Sequence, residues 1–271
     1  MDSSKRFSSA VNLQRRRLCA ALPAWGLAAA GGGALLSGCA TRPSQAVLAA
    51  APGSVPPFSQ VPEPGTLPMG WVPYIIRRDR ELTHYETAEC DGRTVLHAVS
   101  DSARSGLHCP VNIDPNATPW LRWQWRVDAP CPEASVGDDD TEDTPARIVV
   151  AFDGDWSRLS LRDTLFRDQV QLFTGNELPY ATLTYVWDGQ LPVGEIVPYP
   201  RSSRIQYQVV ESGTARQGQW LSYERNVVDD FKAVFGEAPG RIINVGLLTD
   251  SDDLKNRMEA WYGDISFQQG R

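Results

Sequence analysis

The chain has 271 residues, 42% of them hydrophobic and 22% charged, an ordinary globular composition that excludes a disordered or fibrous protein. Its 26 basic and 33 acidic residues give a net charge of −7. No basic cluster lies beyond the N-terminus, which argues against nucleic acid as a partner.

Residues 1–38 read as a bacterial export signal. Arg15, Arg16 and Arg17 form a basic region, and an Ala/Gly-rich apolar stretch follows from Leu18 to Leu36. Leu36-Ser37-Gly38-Cys39 resembles a lipobox, where a signal peptidase cuts before a cysteine that carries a diacylglyceryl group. The alternative is an uncleaved membrane helix, which the glycines and Pro23 weaken. Arg15-Arg16-Arg17-Leu18 also resembles a twin-arginine signal, so the export route stays open. Cleavage would remove one acidic and five basic residues, taking the net charge from −7 to −11. Acyl chains on Cys39 would anchor the protein to a membrane without a spanning helix. Ala40 in place of Asp after that cysteine favours, by resemblance to enterobacterial sorting rules, the outer membrane, facing the periplasm.

Residues 39–69 read as a Pro/Ala-rich tether, with Pro43, Pro52, Pro56, Pro57, Pro62, Pro64 and Pro68. Residues 70–271 then form one domain large enough for a single core. Its dominant signal is alternation. Strands are predicted at 84–89 and 93–100, around the turn pair Asp91-Gly92, and at 106–113. The clearest is 120–128: Leu121, Trp123, Trp125 and Val127 share one face, and Arg122, Gln124 and Arg126 the other. Further strands are predicted at 147–152, 181–187, 205–210, 242–248 and 261–267. Two helices interrupt them, at 161–173 with a broad apolar side and at 227–235 before Gly236. The expected fold is all-β, an antiparallel jelly-roll-like β-sandwich with one or two short inserted helices. Cys90, Cys109 and Cys131 permit one disulfide and one leftover thiol, with no spacing that suggests zinc.

An ordered series of motifs resembles the bacterial "domain of unknown function 3047" family over about residues 80–268. It comprises Trp123-Gln124-Trp125-Arg126-Val127, Glu142-Asp143-Thr144-Pro145-Ala146-Arg147-Ile148 and Tyr185-Val186-Trp187. Glu224-Arg225-Asn226-Val227, Leu248-Thr249-Asp250-Ser251-Asp252 and Trp261-Tyr262-Gly263-Asp264-Ile265 complete it. Glu142 departs from the pair of aspartates expected there. The resemblance implies one compact exported domain and no reaction. The final strand also resembles that of jelly-roll carbohydrate-binding modules, a likeness of fold only.

Motifs for phosphate loops, GxSxG nucleophiles, HExxH metal sites and dinucleotide binding are absent. His84, His97 and His108 share no spacing that suggests a triad. Three constellations remain. Asp143 and Arg147, with Glu142, form either a structural ion pair closing a loop or a ligand clamp at the sandwich rim. Asp250 and Asp252, within Asp250-Ser251-Asp252-Asp253, form either a solvated turn or a seat for a hard cation such as Ca²⁺. Trp120, Tyr185, Trp187, Trp220 and Tyr262 fall at or near strand ends, where exposed rings would suit a sugar; Trp187, before Asp188-Gly189, is expected to be exposed. Trp123 and Trp125 are expected in the core.

Three functions stay open. The first is a non-catalytic, lipid-anchored envelope module for a glycan or small polar ligand. The second is a structural lipoprotein with a protein partner. The third is an envelope polysaccharide hydrolase using paired carboxylates.

Overall fold

The computed structural model describes residues 53–270. The export signal, Cys39 and residues 40–52 of the tether lie outside the described residues. The chain folds as two packed β-sheets. The first runs in the order β1 (Val72–Tyr74), β4 (Arg104–Ile113), β11 (Ile242–Asp250), β6 (Thr144–Phe152), β7 (Ala181–Asp188), β9 (Ile205–Ser212) and β8 (Ile196–Pro198). The second runs β10 (Leu221–Asn226), β5 (Trp120–Ala129), β12 (Arg257–Tyr262), β3 (Arg93–Asp101) and β2 (His84–Cys90), with β13 (Ser266–Gln268) also paired to β5. Among the strand pairs of the described residues only β7 and β9 run parallel, because β8 and its loops carry the chain over before β9 begins. This is the all-β jelly-roll-like sandwich that the alternation predicts.

The core lies where the two inner faces meet. Leu121, Trp123, Trp125 and Val127 of β5 are all buried. Trp123 stacks on Tyr185 of the opposite sheet, with ring centroids 5.2 Å apart. Arg122, Gln124 and Arg126 alternate onto the outer face, as a period of two requires. The β2–β3 hairpin closes on Asp91 and Gly92, whose φ values of 51° and 73° are those of a type I′ turn. Replacing Gly92 by Val puts a β-branched residue at positive φ. A loss of about 1–2 kcal/mol in denaturant melts is expected; an unchanged midpoint would mean that the turn relaxes freely.

The structure departs from the sequence expectation in four places. The folded region begins before residue 70: Phe58 is 1% exposed, Val55 is buried, and Trp71 Nε1 donates to Pro56 O at 2.9 Å. The strand expected over 261–267 is two strands, because the chain turns at Gly263, whose N–H bonds Gln124 O. Three strands lie outside the predicted ones: β1 and β8 are only three residues long, and Leu221, Tyr223 and Arg225 of β10 alternate only weakly.

The fourth departure is helix α1 (Leu161–Thr174). Leu161, Leu165, Leu172 and Phe173 are 60–79% exposed. The helix docks through Asp163, which accepts bonds from Ser160, Ser202 and Ser203, and through buried Phe166. By contrast, α2 (Val227–Phe235) buries Val227, Val228 and Phe231. Asn226 Oδ1 caps its N-terminus by accepting from Val228 and Asp229 N–H, and Gly236 at φ 70° ends it. Cys90, Cys109 and Cys131 are all free thiols.

Candidate functional site

The acidic and basic residues singled out in sequence meet at one end of the first sheet. Register places Arg104 of β4, Asp250 of β11 and Thr144 of β6 in one row. Arg147 is 3% exposed, and its Nη2 reaches both Asp250 oxygens at 3.0 Å. Its Nη1 donates to Glu142 Oε1 at 3.2 Å, its Nε to Thr144 Oγ1 and its Nη2 to Glu142 O. Tyr207 donates its hydroxyl to Glu142 Oε1, and Thr144 N donates to Asp250 Oδ1 at 3.0 Å. Arg104 lies 3.4 Å from Glu142 and 3.8 Å from Asp250.

The expected Asp143–Arg147 pair is therefore replaced by Arg147 with Glu142 and Asp250. Asp143 is committed elsewhere: its two oxygens accept the Asp253 and Leu254 backbone N–H groups at 3.2 and 2.8 Å. Burial pushes the Asp250 carboxyl up to about 6, against the pull of Arg147 and Arg104, so it remains ionised at neutral pH. Burial also works against the Glu142 charge, but Arg147, Arg104 and Tyr207 outweigh it and hold that carboxyl below its usual range. The Arg147–Asp250 cluster thus holds three strands together, with the Arg147 and Asp250 side chains 3% and 0% exposed.

Three of the five aromatic candidates, Tyr185, Trp187 and Tyr262, are in the interior, while Trp120 and Trp220 are partly exposed. Tyr185 is fully buried and donates to Asp230 Oδ2 at 2.8 Å. Trp187, expected at the surface, is 0% exposed; its Nε1 donates to Gly213 O at 2.8 Å. In the turn after it Asp188 is buried and Gly189 only partly exposed. Asp188 accepts N–H groups from Val136, Gln190 and Leu191, so the loop around residues 131–136 covers the turn. Tyr262 is likewise buried, between Thr249 and Leu248 O.

An open concavity lies instead on the outer face of the second sheet. It has a volume of about 710 Å³ and is lined by Arg93, Arg122, Gln124, Ser222, Glu224 and Asp264, among others. Pairing of β10 with β5 sets Glu224 opposite Arg122 and Ser222 opposite Gln124. Arg93 Nη1 donates to Gln124 Oε1 at 2.7 Å, and Gln124 Nε2 to Ser222 Oγ at 3.0 Å. Arg122 pairs with Glu224 through Nε and with Gln268 through Nη1. Ser59, from the segment expected to be tether, closes one side by donating its N–H to Asp264 Oδ1 at 3.0 Å. Trp220 lies under the Arg93 guanidinium at 4.4 Å. Further along the same face His97 stacks on Trp261 at 3.8 Å and bonds Glu259.

None of Asp143, Arg147, Tyr185, Trp187, Asp250 and Asp252 lines this concavity. Its signal in the sequence was the polar half of the β5 alternation, together with Ser222 and Glu224. Nothing local says that strands about a hundred residues apart lie side by side.

Fold and site define a β-sandwich domain with a buried ionic clasp at one end and a polar concavity on one outer face. A family described as "Protein of unknown function (DUF3047)" matches residues 69–266, and the chain belongs to it. No curated protein matches the chain. Among solved structures it is similar to an arabinose-bound GH51 α-L-arabinofuranosidase, at 10% identity and a TM-score of 0.39. That likeness covers 80% of this chain but only 26% of the enzyme. The K2 cleaved adhesin domain of Lys-gingipain gives 10% identity and a TM-score of 0.37, covering 80% of this chain and 98% of that domain. A family 11 carbohydrate-binding module from Clostridium thermocellum, in complex with a mixed-linked tetrasaccharide, gives 9% and 0.33, covering 81% and 98%. Likenesses this distant assign no activity.

Proposed function

We propose that the domain is a non-catalytic binding module of the bacterial cell envelope, and that its outer-sheet concavity takes a glycan or another small hydroxyl-rich ligand. The observation that carries this reading is the convergence of planar polar groups in one open recess: two guanidiniums, an amide and carboxylates. Such groups bond adjacent hydroxyls in pairs, and a recess of this size suits a small ligand. Both signs of charge are present, with Arg93 and Arg122 facing Glu89, Glu224 and Asp264, which suits a neutral polyhydroxyl ligand better than a strongly charged one. The lipobox-like sequence before Cys39 and the following Pro-rich stretch support a lipid-anchored position, with the outer membrane as the expected site.

The test is retention of the full chain on immobilised envelope polysaccharides and peptidoglycan fragments, followed by calorimetry on whatever retains it. Arg122→Ala and Gln124→Ala should fold as wild type, since partly exposed pairs contribute little to stability. Each should weaken binding by about tenfold or more, the cost of one charge-assisted or buried hydrogen bond. Retention on no glycan, or retention indifferent to both substitutions, would sink the proposal.

A further inference from the structure

We infer that Asp143, Asp252 and Asp253 form a seat for one divalent cation of the oxygen-preferring, Ca²⁺ type, at the rim of the first sheet beside the Arg147 cluster. One carboxylate oxygen from each lies within 4.8 Å of the others. Ca²⁺ sits about 2.3–2.6 Å from its oxygens, so ligands on opposite sides of one ion are up to about 5 Å apart. The spacing fits without rearrangement.

The second observation is Asp252 itself. Its side chain is 1% exposed, and among the described residues no donor hydrogen-bonds either carboxylate oxygen. Arg80 Nε approaches to 3.0 Å and Arg104 Nη1 to 3.6 Å. The Arg80 approach is a charge contact without hydrogen-bond alignment, since Arg80 Nε is itself buried without an acceptor. A buried carboxylate with no aligned donor is costly, and two guanidiniums that approach without hydrogen-bonding it offset that cost only in part. Its oxygens lie among those of Asp143 and Asp253, where a cation would meet them.

The local charge also asks for one. Glu142, Asp143, Asp250, Asp252 and Asp253 bring five negative charges, and Arg80, Arg104 and Arg147 bring three positive ones. The surplus is two, which one divalent cation cancels. Asp253 is 21% exposed and gives the ion its way in.

Asp250, which the sequence suggested as a ligand beside Asp252, is not one. The Arg147 cation meets both its oxygens and it lies outside the group of Asp143, Asp252 and Asp253, whereas the neutral N–H groups on Asp143 leave each oxygen a second lone pair. Asp143 takes its place from a different loop, which a reading of the 250–253 run alone does not suggest.

The test is titration of the metal-stripped full chain with CaCl₂, and separately with MgCl₂, by calorimetry and thermal melting. One Ca²⁺ per chain is expected, with a dissociation constant on the order of 10⁻⁴ M. At about a hundred times that concentration the melting temperature should rise by several degrees. Asp252→Asn and Asp253→Asn should each abolish the rise. If Asp252→Asn fails to fold, Asp253→Asn decides, because its carboxylate is partly exposed and among the described residues its only ion pair is the 3.6 Å approach of Arg104. Arg122→Ala should bind Ca²⁺ as wild type. Neither heat nor a melting shift at millimolar Ca²⁺ or Mg²⁺ would overturn the inference, as would an Asp253→Asn protein that binds like wild type. Both readouts are independent of any glycan, so the two proposals stand or fall separately.

Discussion

Arg147→Met is expected to cost about 3–5 kcal/mol, the range for removing one partner of a buried ionic group. The guanidinium meets Asp250 through both oxygens and Glu142 through side chain and backbone, while its own side chain is only 3% exposed. Methionine fills most of the space but leaves the Asp250 carboxylate facing Thr144 N and a distant Arg104. In thermal melts a domain of this size should lose roughly 10 °C. The double substitution Arg147→Met/Asp250→Leu should cost less than the sum of the two single ones, because it removes the orphaned charge as well as its partner. A loss below about 1 kcal/mol for Arg147→Met would show that the cluster is solvated and free to act as a ligand clamp. Glycan retention should be the same in the folded fraction of each variant, since the cluster does not line the outer concavity.

Trp187→Ala is the second large effect, again about 3–5 kcal/mol, from lost burial and the cavity left behind. Trp187 packs 6.4 Å from Trp125 across the sandwich, and its Nε1–H bonds Gly213 O. Trp187→Phe keeps most of the packing and drops the bond, and should cost about 1–2 kcal/mol. Denaturant melts of the two variants separate the contributions. Were Trp187 a surface platform for a sugar, alanine there would leave stability within about 0.5 kcal/mol and remove binding. The opposite outcome is expected here: lower stability, and unchanged retention by the protein that remains folded.

Both predictions concern residues that the sequence marked as unusual: Arg147 as part of an ion pair, with its aspartate partner misassigned, and Trp187 as exposed. The Glu142 to Arg147 segment and the Asp250 to Asp252 run were legible as charge within an apolar context. Their partners were not. An Asp four residues before an Arg looks like a pair on the page, yet Asp143 serves the backbone of a turn more than a hundred residues later. Trp187 was read from its neighbours in sequence, a turn pair, whereas its exposure is set by the loop that covers that turn. The leucines of α1 erred in the other direction. Their spacing fits a core face, but a buried Asp163 and its serine partners orient the helix and leave them in water.

The sequence by itself determined what each strand buries. Alternation in β5 put Trp123 and Trp125 inside and Arg122 and Gln124 outside, because side chains of an extended chain must point to opposite faces. Asp91-Gly92 determined a tight hairpin, since those residues accept positive φ, and Asn226 and Gly236 bounded a helix by satisfying its free ends. These are local effects, written within a few residues. Only the tertiary structure decided which strands lie side by side. It set β10 next to β5 to form the concavity, and brought Asp143 to Asp252 and Asp253. The reason is that strand pairing joins segments far apart in the chain, and its energy depends on how two sheets pack over a common core, which no local pattern records.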